Sequence, residues 1–189
     1  MPDWQDAEVA LWLQKAKNGD VEAYGLLYEA YAPQVFRYLY AHLDDRLDAE
    51  DLTGEVFLRA WQALPGYRPQ GVPFAGFLFR VARNALYDHY RSSRRRRPDL
   101  ELMEEHRDES NPDPAQELAA NWQQGEVQKM LKRLSQDYRT VLSLRFLAGL
   151  TPEETAQAME RSAGAVRVLQ HRALTALRKL LAEDEKEDK

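Results

Sequence analysis

Apolar residues in this chain recur at intervals of three and four over most of its length, and nowhere sustain the alternation of two that a half-buried strand requires. The chain is therefore expected to be all-α. The clearest stretch starts at Phe74, where Phe74, Phe77, Leu78, Val81, Ala82, Ala85 and Leu86 share one side of a helix and Arg80, Arg83, Asn84, Tyr87, Asp88 and Arg91 take the other. Upstream, helices are expected at about 7–17, 21–31 and 34–42, divided by Asn18-Gly19-Asp20 and by Pro33. Another is expected at about 49–63, capped by Asp48 and stopped by Leu64-Pro65-Gly66, with a Pro/Gly-bearing loop from Pro65 to Pro73 behind it.

The distribution of charge divides the chain. Residues 80–97 carry Arg80, Arg83, Arg91 and the run Arg94-Arg95-Arg96-Arg97 against Asp88 alone. The next stretch is strongly acidic, holds Pro98, Pro112 and Pro114, and shows little apolar periodicity, as a linker does. The reading is two small helical domains, 1–97 and 116–189, joined by an acidic flexible linker over 98–115. In the second, helices are expected near 116–133 and 136–147, and Gly149 suits a left-handed cap. Thr151-Pro152-Glu153-Glu154 then reads as a capping box with proline at the first helical position, starting a helix to about Met159. After a turn at Glu160-Arg161-Ser162, Ser162 can cap a final helix bearing Val166, Leu169, Ala173, Leu177 and Leu180 on one side. Two short helices across such a turn form a helix–turn–helix.

Several chemistries are excluded or left without support. The chain has no cysteine, which removes disulfides, thiolate metal sites and a cysteine nucleophile, and its four histidines, His42, His89, His106 and His171, are not at ligand spacing. There is no phosphate-binding glycine loop and no nucleophile elbow, so no catalytic residue and no cofactor is expected. No run approaches the roughly 18 apolar residues of a spanning helix. The N-terminus lacks the pattern of a signal peptide, so a cytoplasmic protein without membrane insertion is expected. Asp48, Glu50, Asp51 and Glu55 form one dense acidic cluster, which suits either a hard cation or a solvated or partner-facing helix start favoured by the dipole.

Nucleic acid is the better supported partner. The basic side of the Phe74 helix, running into four arginines, offers a phosphate-binding stripe, and Tyr67, Phe74, Tyr87 and Tyr90 supply rings that can stack on exposed bases. The helix–turn–helix offers a second, separate site, whose last helix would reach base edges in a major groove. The net charge of −5 does not oppose this, because phosphate attraction depends on local patches.

The run Asp48-Ala49-Glu50-Asp51-Leu52-Thr53-Gly54-Glu55-Val56-Phe57-Leu58-Arg59-Ala60-Trp61 closely resembles a motif of bacterial RNA polymerase sigma factors of the extracytoplasmic-function type. Pro73 to Asn84 resembles their following helix, and Leu134 to Leu181 resembles their C-terminal helix–turn–helix. The resemblance covers residues 20–97 and 120–182 in the family's order, region 2 followed by region 4. It implies a promoter-specificity subunit that binds core RNA polymerase, reads promoter DNA, is commonly held by an anti-sigma factor, and is not an enzyme.

Residue by residue, the resemblance implies that Asp48, Asp51, Leu52, Glu55, Val56, Phe57 and Arg59 bind core polymerase. Phe57, Leu58 and Trp61 equally suit a core. Tyr67, Arg68, Arg80, Arg83, Asn84, Tyr87, Asp88 and Arg91 fall where the minus-ten element is recognised and melted, with Asn84 the best base reader and Arg94 to Arg97 on phosphates. Ala163, Gly164, Ala165, Arg167, Val168, His171 and Arg172 match positions that meet the minus-thirty-five element, the first three through backbone N–H groups. The chain departs from many members at Gly54, in place of glutamine, and at Val168, Leu169 and Leu174, in place of serine and arginines. Fewer phosphate contacts are expected there. The resemblance also implies that the acidic linker threads toward the polymerase active-site channel. Outside the family, a stand-alone helix–turn–helix regulator accounts for residues 134–182 but leaves the Asp48 to Trp61 motif unexplained. An enzyme using a metal at Asp48, Asp51 and Glu55 is the remaining alternative.

Overall fold

The computed structural model of the protein describes residues 6–43, 45–68, 73–96 and 127–187, and every described element is helical. The N-terminal unit is built from α1 (Asp6–Lys17), α2 (Val21–Tyr40), α3 (Arg46–Ala63), a single 3₁₀ turn at Leu64–Gly66 and α4 (Phe74–Arg96). The C-terminal unit contains α5 (127–132), α6 (Gln136–Leu142), which runs on into a π-helical turn at Ser143–Leu147, then α7 (Pro152–Met159) and α8 (Ala163–Glu187). The acidic linker expected at 98–115, Arg97 and the first part of the helix expected from 116 lie outside the described residues.

Local chemistry sets the boundaries. Gly19 takes φ +91°, which turns the chain after α1, and the Asp20 carboxylate accepts the Ala23 N–H at 3.0 Å to start α2. Pro33 does not divide that helix. Its missing N–H costs a hydrogen bond, on the order of 3 kcal/mol in a helix interior. Both halves nevertheless bury one continuous face, with Leu27 and Ala30 before the proline and Val35, Tyr38 and Leu39 after it. α3 starts earlier than expected, because Asp45 rather than Asp48 is its cap and accepts the Leu47 N–H at 2.6 Å.

In the C-terminal unit the capping box forms as its residues dictate. Thr151 accepts from Glu154 N–H at 3.2 Å, and Glu154 accepts from Thr151 N–H at 2.7 Å. The π turn is closed by the Ala148 N–H on Ser143 O at 2.9 Å, and Gly149 at φ +75° then redirects the chain into α7. Glu160 ends α7 at φ +55°, a left-handed conformation that a side chain enters only at a cost.

The two units are not separate bodies. One apolar core runs from Leu13 and Leu27 through Phe79 and Leu86 to Val141, Met159 and Ala173. The seam is polar at its edges. The Gln128 amide donates to the carbonyls of Tyr40 and Leu43 at 2.6 and 2.7 Å, and Arg37 Nε donates to Leu147 O at 2.9 Å.

Candidate polymerase and nucleic-acid interfaces

The helix α3 sorts its residues by period. Ala49, Leu52, Thr53, Val56, Phe57 and Ala60 face inward, and Phe57 lies edge-on to Tyr28 with ring centroids 4.7 Å apart. Leu52, Val56 and Phe57, three of the residues expected to bind core polymerase, are 4%, 0% and 3% exposed, so in this structure their side chains belong to the core. The reason is geometric: they fall at three- and four-residue steps from Ala49 and Ala60, on the stripe packed against α2. The outward stripe is instead Leu47, Asp48, Asp51, Gly54, Glu55 and Leu58. Leu47 and Leu58 are 68% and 57% exposed, large apolar groups framed by carboxylates. The sequence motif does not single out Leu47, although its four-residue step to Asp51 is the available signal.

Arg59 links this helix to α4. It donates to Glu55 at 2.6 Å on its own helix and to Asp88 at 2.7 Å across the gap, while Asp88 also accepts from Arg91. The hydrogen bonds from Arg59 and then Arg91 hold the Asp88 carboxyl below its usual range. Asp48, Asp51 and Glu55 form no cluster of three metal-ligating side chains among the described residues.

α4 forms because its apolar residues keep helical spacing, and Phe74, Phe77, Leu78, Ala82, Ala85 and Leu86 are buried as that spacing requires. Of the polar stripe, Asn84 and Arg91 are exposed and Arg80, Tyr87 and Asp88 are half-buried. Arg83 lies over the Tyr87 ring at 5.1 Å and reaches the C-terminal unit, donating to Ala158 O at 3.2 Å and to Glu160 at 3.3 Å. Tyr67, expected near the minus-ten strand, is 7% exposed, tilted on Phe77 with centroids 4.7 Å apart, and its carbonyl accepts from Lys17 Nζ at 2.6 Å. Its ring is a wall rather than a free stacking platform. That wall belongs to a cleft of about 550 Å³ lined also by Arg68, Phe77, Arg80 and Gln157. Arg68 and Arg80 make no ion pair among the described residues, so the cleft is cationic.

The last helix, α8, buries Val166 and Ala173 and turns Arg167, Val168, His171 and Arg172 outward. At its start Ala163 is half-buried and Gly164 and Ala165 are exposed. The Ala165 N–H is taken by the Ser162 hydroxyl at 3.2 Å, so of the three backbone donors expected for a phosphate, that one is already engaged. Arg167 approaches Glu153 of α7 at 3.5 Å. Arg145 orients α8 from below, its Nε donating to Gln170 at 3.1 Å.

A family model described as Sigma-70 region 2 matches residues 27–96, and one described as Sigma-70, region 4 matches residues 130–179. The chain is 33% identical over 184 residues to the ECF RNA polymerase sigma factor BldN of Streptomyces coelicolor, covering 96% of this chain and 69% of that protein. It is 36% identical over 179 residues to the ECF RNA polymerase sigma factor SigD of Mycobacterium tuberculosis, covering 92% of this chain and 82% of that one. Among solved structures, CnrH in complex with the cytosolic domain of CnrY has the same fold, with a TM-score of 0.74 at 24% identity, covering 94% of this chain and 99% of the other.

Proposed function

The chain belongs to the sigma-70 family, among the RNA polymerase sigma factors of the ECF type, and we infer from that membership that it is a promoter-specificity subunit, which binds core RNA polymerase and directs initiation at a dedicated set of promoters. Residues 1–97 act as region 2, 98–115 as the linker and 116–189 as region 4. In this reading the outward stripe of α3, with Asp48, Asp51 and Glu55 around Leu47 and Leu58, meets the polymerase. The polar stripe of α4 and the cleft beside it, from Arg68 and Arg80 to Asn84 and Arg91, hold the melted minus-ten strand. Arg167, Val168, His171 and Arg172 on α8 meet the minus-thirty-five duplex.

A single observation supports the division of labour: one small bundle carries an acidic and apolar face on α3 and a cationic face on α4, so it can engage polymerase and DNA at once. Cations on α4 provide phosphate attraction that is independent of sequence, and the amide of Asn84 provides a paired donor and acceptor for a base edge. The protein performs no covalent chemistry of its own here and needs no cofactor. An anti-sigma factor is the third partner of this reading, and it would act by covering the α3 stripe. No helix among the described residues is long and apolar enough to cross a membrane. Work on polymerase and DNA assigns the protein to the cytoplasm.

The test is reconstitution. The purified chain is mixed with bacterial core RNA polymerase, complex formation is followed by gel filtration, and initiation is measured on a pool of promoter fragments. Co-elution with promoter-selective transcripts is the expected result. A folded chain that neither associates nor initiates would move the function to a polymerase-independent DNA binder.

A further inference from the structure

Where the end of α2 meets the C-terminal unit, the seam leaves a groove of about 240 Å³, with Phe36, Tyr40 and Ala41 on the α2 side and Val127 and Leu147 opposite. None of these residues belongs to the outward stripe of α3 or the polar stripe of α4. The α2 wall follows from sequence: Phe36 and Tyr40 are four residues apart, so they stand one above the other on the helix, and their rings stack 8° from parallel with centroids 5.6 Å apart. An apolar cavity of about 150 Å³ takes up a benzene, so this groove has room for a bicyclic ring or a ring with a short chain. Two polar groups complete it. The Gln128 amide nitrogen gives both its hydrogens to the carbonyls of Tyr40 and Leu43, which fixes the orientation of the amide and leaves Oε1 as an acceptor without a protein partner among the described residues. Arg37 Nε donates to Leu147 O at 2.9 Å, which holds the guanidinium at the groove, while its two Nη groups make no hydrogen bond or ion pair among the described residues.

We propose that this groove is a binding site for a small aromatic carboxylate, with its ring against Phe36 and Tyr40, its carboxylate on the Nη groups of Arg37 and a ring N–H or O–H donating to Gln128 Oε1. Charge decides between kinds of occupant. No acidic side chain lines the groove among the described residues, so a purely apolar guest leaves the guanidinium to water. A carboxylate gains a charge-assisted fork of hydrogen bonds, made beside an apolar wall where such bonds are stronger than in water. The stacked rings favour a flat guest over an aliphatic acid, because aromatic pairs contribute beyond the area they bury. Bound in this way, the ligand touches α2 on one side and α5 and the π turn on the other, so its binding adds to the stability of the folded chain. The proposal does not rest on the assignment of α3 and α4 to polymerase and DNA, and it adds a small-molecule site to a protein whose proposed partners are macromolecules.

The probe is indole-3-acetate, which carries a bicyclic ring, an N–H and a carboxylate, and the neutral indole-3-acetamide is its control. A guest of about 13 non-hydrogen atoms should bind with a dissociation constant of about 1 mM or tighter. Isothermal titration of the purified chain should show one saturable site for the acid and binding of the amide weaker by about tenfold or more. The thermal midpoint should rise with the acid. Arg37 is exposed, so Arg37→Gln should fold normally, weaken the acid by about tenfold and bring acid and amide to the same affinity. Ala41→Leu, which fills the groove from its α2 wall, should abolish binding of both. If that variant misfolds, Val127→Trp adds bulk from a position that is 45% exposed and should do the same. No saturable binding of the acid by the folded chain up to about 10 mM overturns the proposal, as does equal affinity for acid and amide in the wild type. Binding seen only in Trp122→Ala would give the groove to the chain's own ring, and binding lost as the chain self-associates would give it to a second copy. Either result also overturns the proposal.

Discussion

Arg59 on α3 and Asp88 on α4 join their two helices through an ion pair, with Arg59 Nη1 2.7 Å from the Asp88 carboxylate. Asp88 also takes Arg91, so it fixes the position of one cation on each helix. Both partners are more than a third exposed, so solvent screens the pair and its contribution to stability is at most about 1 kcal/mol. Asp88→Asn should therefore shift the urea midpoint only slightly, and high salt should abolish the difference. Its larger effect should fall on promoter binding, because the Arg91 guanidinium, no longer neutralised, gains attraction for phosphate. The sign of the pH dependence follows from the carboxyl. Its pKa is depressed in the folded chain, so the stabilisation is present above the usual carboxylate range and is lost as pH falls through the folded value. Denaturation at pH 7 and pH 3, in wild type and variant, checks both parts.

His42 follows the end of α2 and lies beside the C-terminal unit, one residue from the Leu43 carbonyl that takes the Gln128 amide. It is 4% exposed, Tyr38 packs on it with centroids 4.9 Å apart, and Tyr90 donates to its carbonyl at 2.7 Å. Burial, and then the positive charge of Arg139 from α6, push its pKa down from 6.5 to about 3. A histidine held neutral in the folded state gives stability that is present above the unfolded pKa and lost as pH falls below it. From pH 6.5 downward the loss should approach about 1.4 kcal/mol per pH unit from this group. His42→Phe removes the ionisation while keeping the ring. The wild type should lose stability between pH 7 and pH 5 by more than this variant does, and parallel curves would rule out His42 as the cause.

Much of the local structure was legible because its causes are local. The inner face of α4 from Phe74 to Leu86, the Thr151 and Glu154 box and the left-handed Gly149 are each fixed by neighbours within a few positions. Pro33 misled because its penalty is local while the burial of Val35, Tyr38 and Leu39 that offsets it is tertiary. The candidate interfaces were legible as elements more than as side chains. The motif around Asp51 mixes residues of two faces, and Leu52, Val56 and Phe57 can be separated from Leu47 and Leu58 only by fixing the helical register against α2. Tyr67 reads as a free ring in a loop until Phe77 and Lys17 are seen to hold it. The approach of Gln157 to Gly76 had no signal, because nothing in either short stretch refers to the other.

Gly54 offers a clean separation of stability from recognition. It lies in the exposed stripe of α3, and a Cβ added there would meet nothing within 4 Å, so alanine brings no clash. Replacing an exposed helical glycine by alanine should raise stability by roughly 0.5–1 kcal/mol, because the unfolded chain loses freedom. Gly54→Ala should raise the urea midpoint without changing the slope. Gly54→Gln should give a similar gain and, with an added donor and acceptor between Asp51 and Leu58, bind core polymerase more tightly than Gly54→Ala in a competition assay. Equal affinities for the two variants would mean that this stripe does not touch the polymerase.

The outward face of α8 carries Val168, 52% exposed, between Arg167 and His171, and Arg167 is partly drawn away by Glu153. A valine cannot take a phosphate, and an arginine beside a carboxylate takes one less readily. Binding of region 4 to duplex DNA should therefore release few counterions for a helix of this kind. Each phosphate contact added to B-DNA steepens the plot of log affinity against log salt by about 0.9. In the holoenzyme bound to a promoter fragment, Val168→Arg should steepen that slope by about this amount, and Glu153→Gln should steepen it by a smaller amount by freeing Arg167. Arg172→Ala should make it shallower. Promoter affinities measured between about 50 and 200 mM salt for the four proteins would resolve such changes, and a slope unchanged across all of them would remove this face of α8 from the DNA.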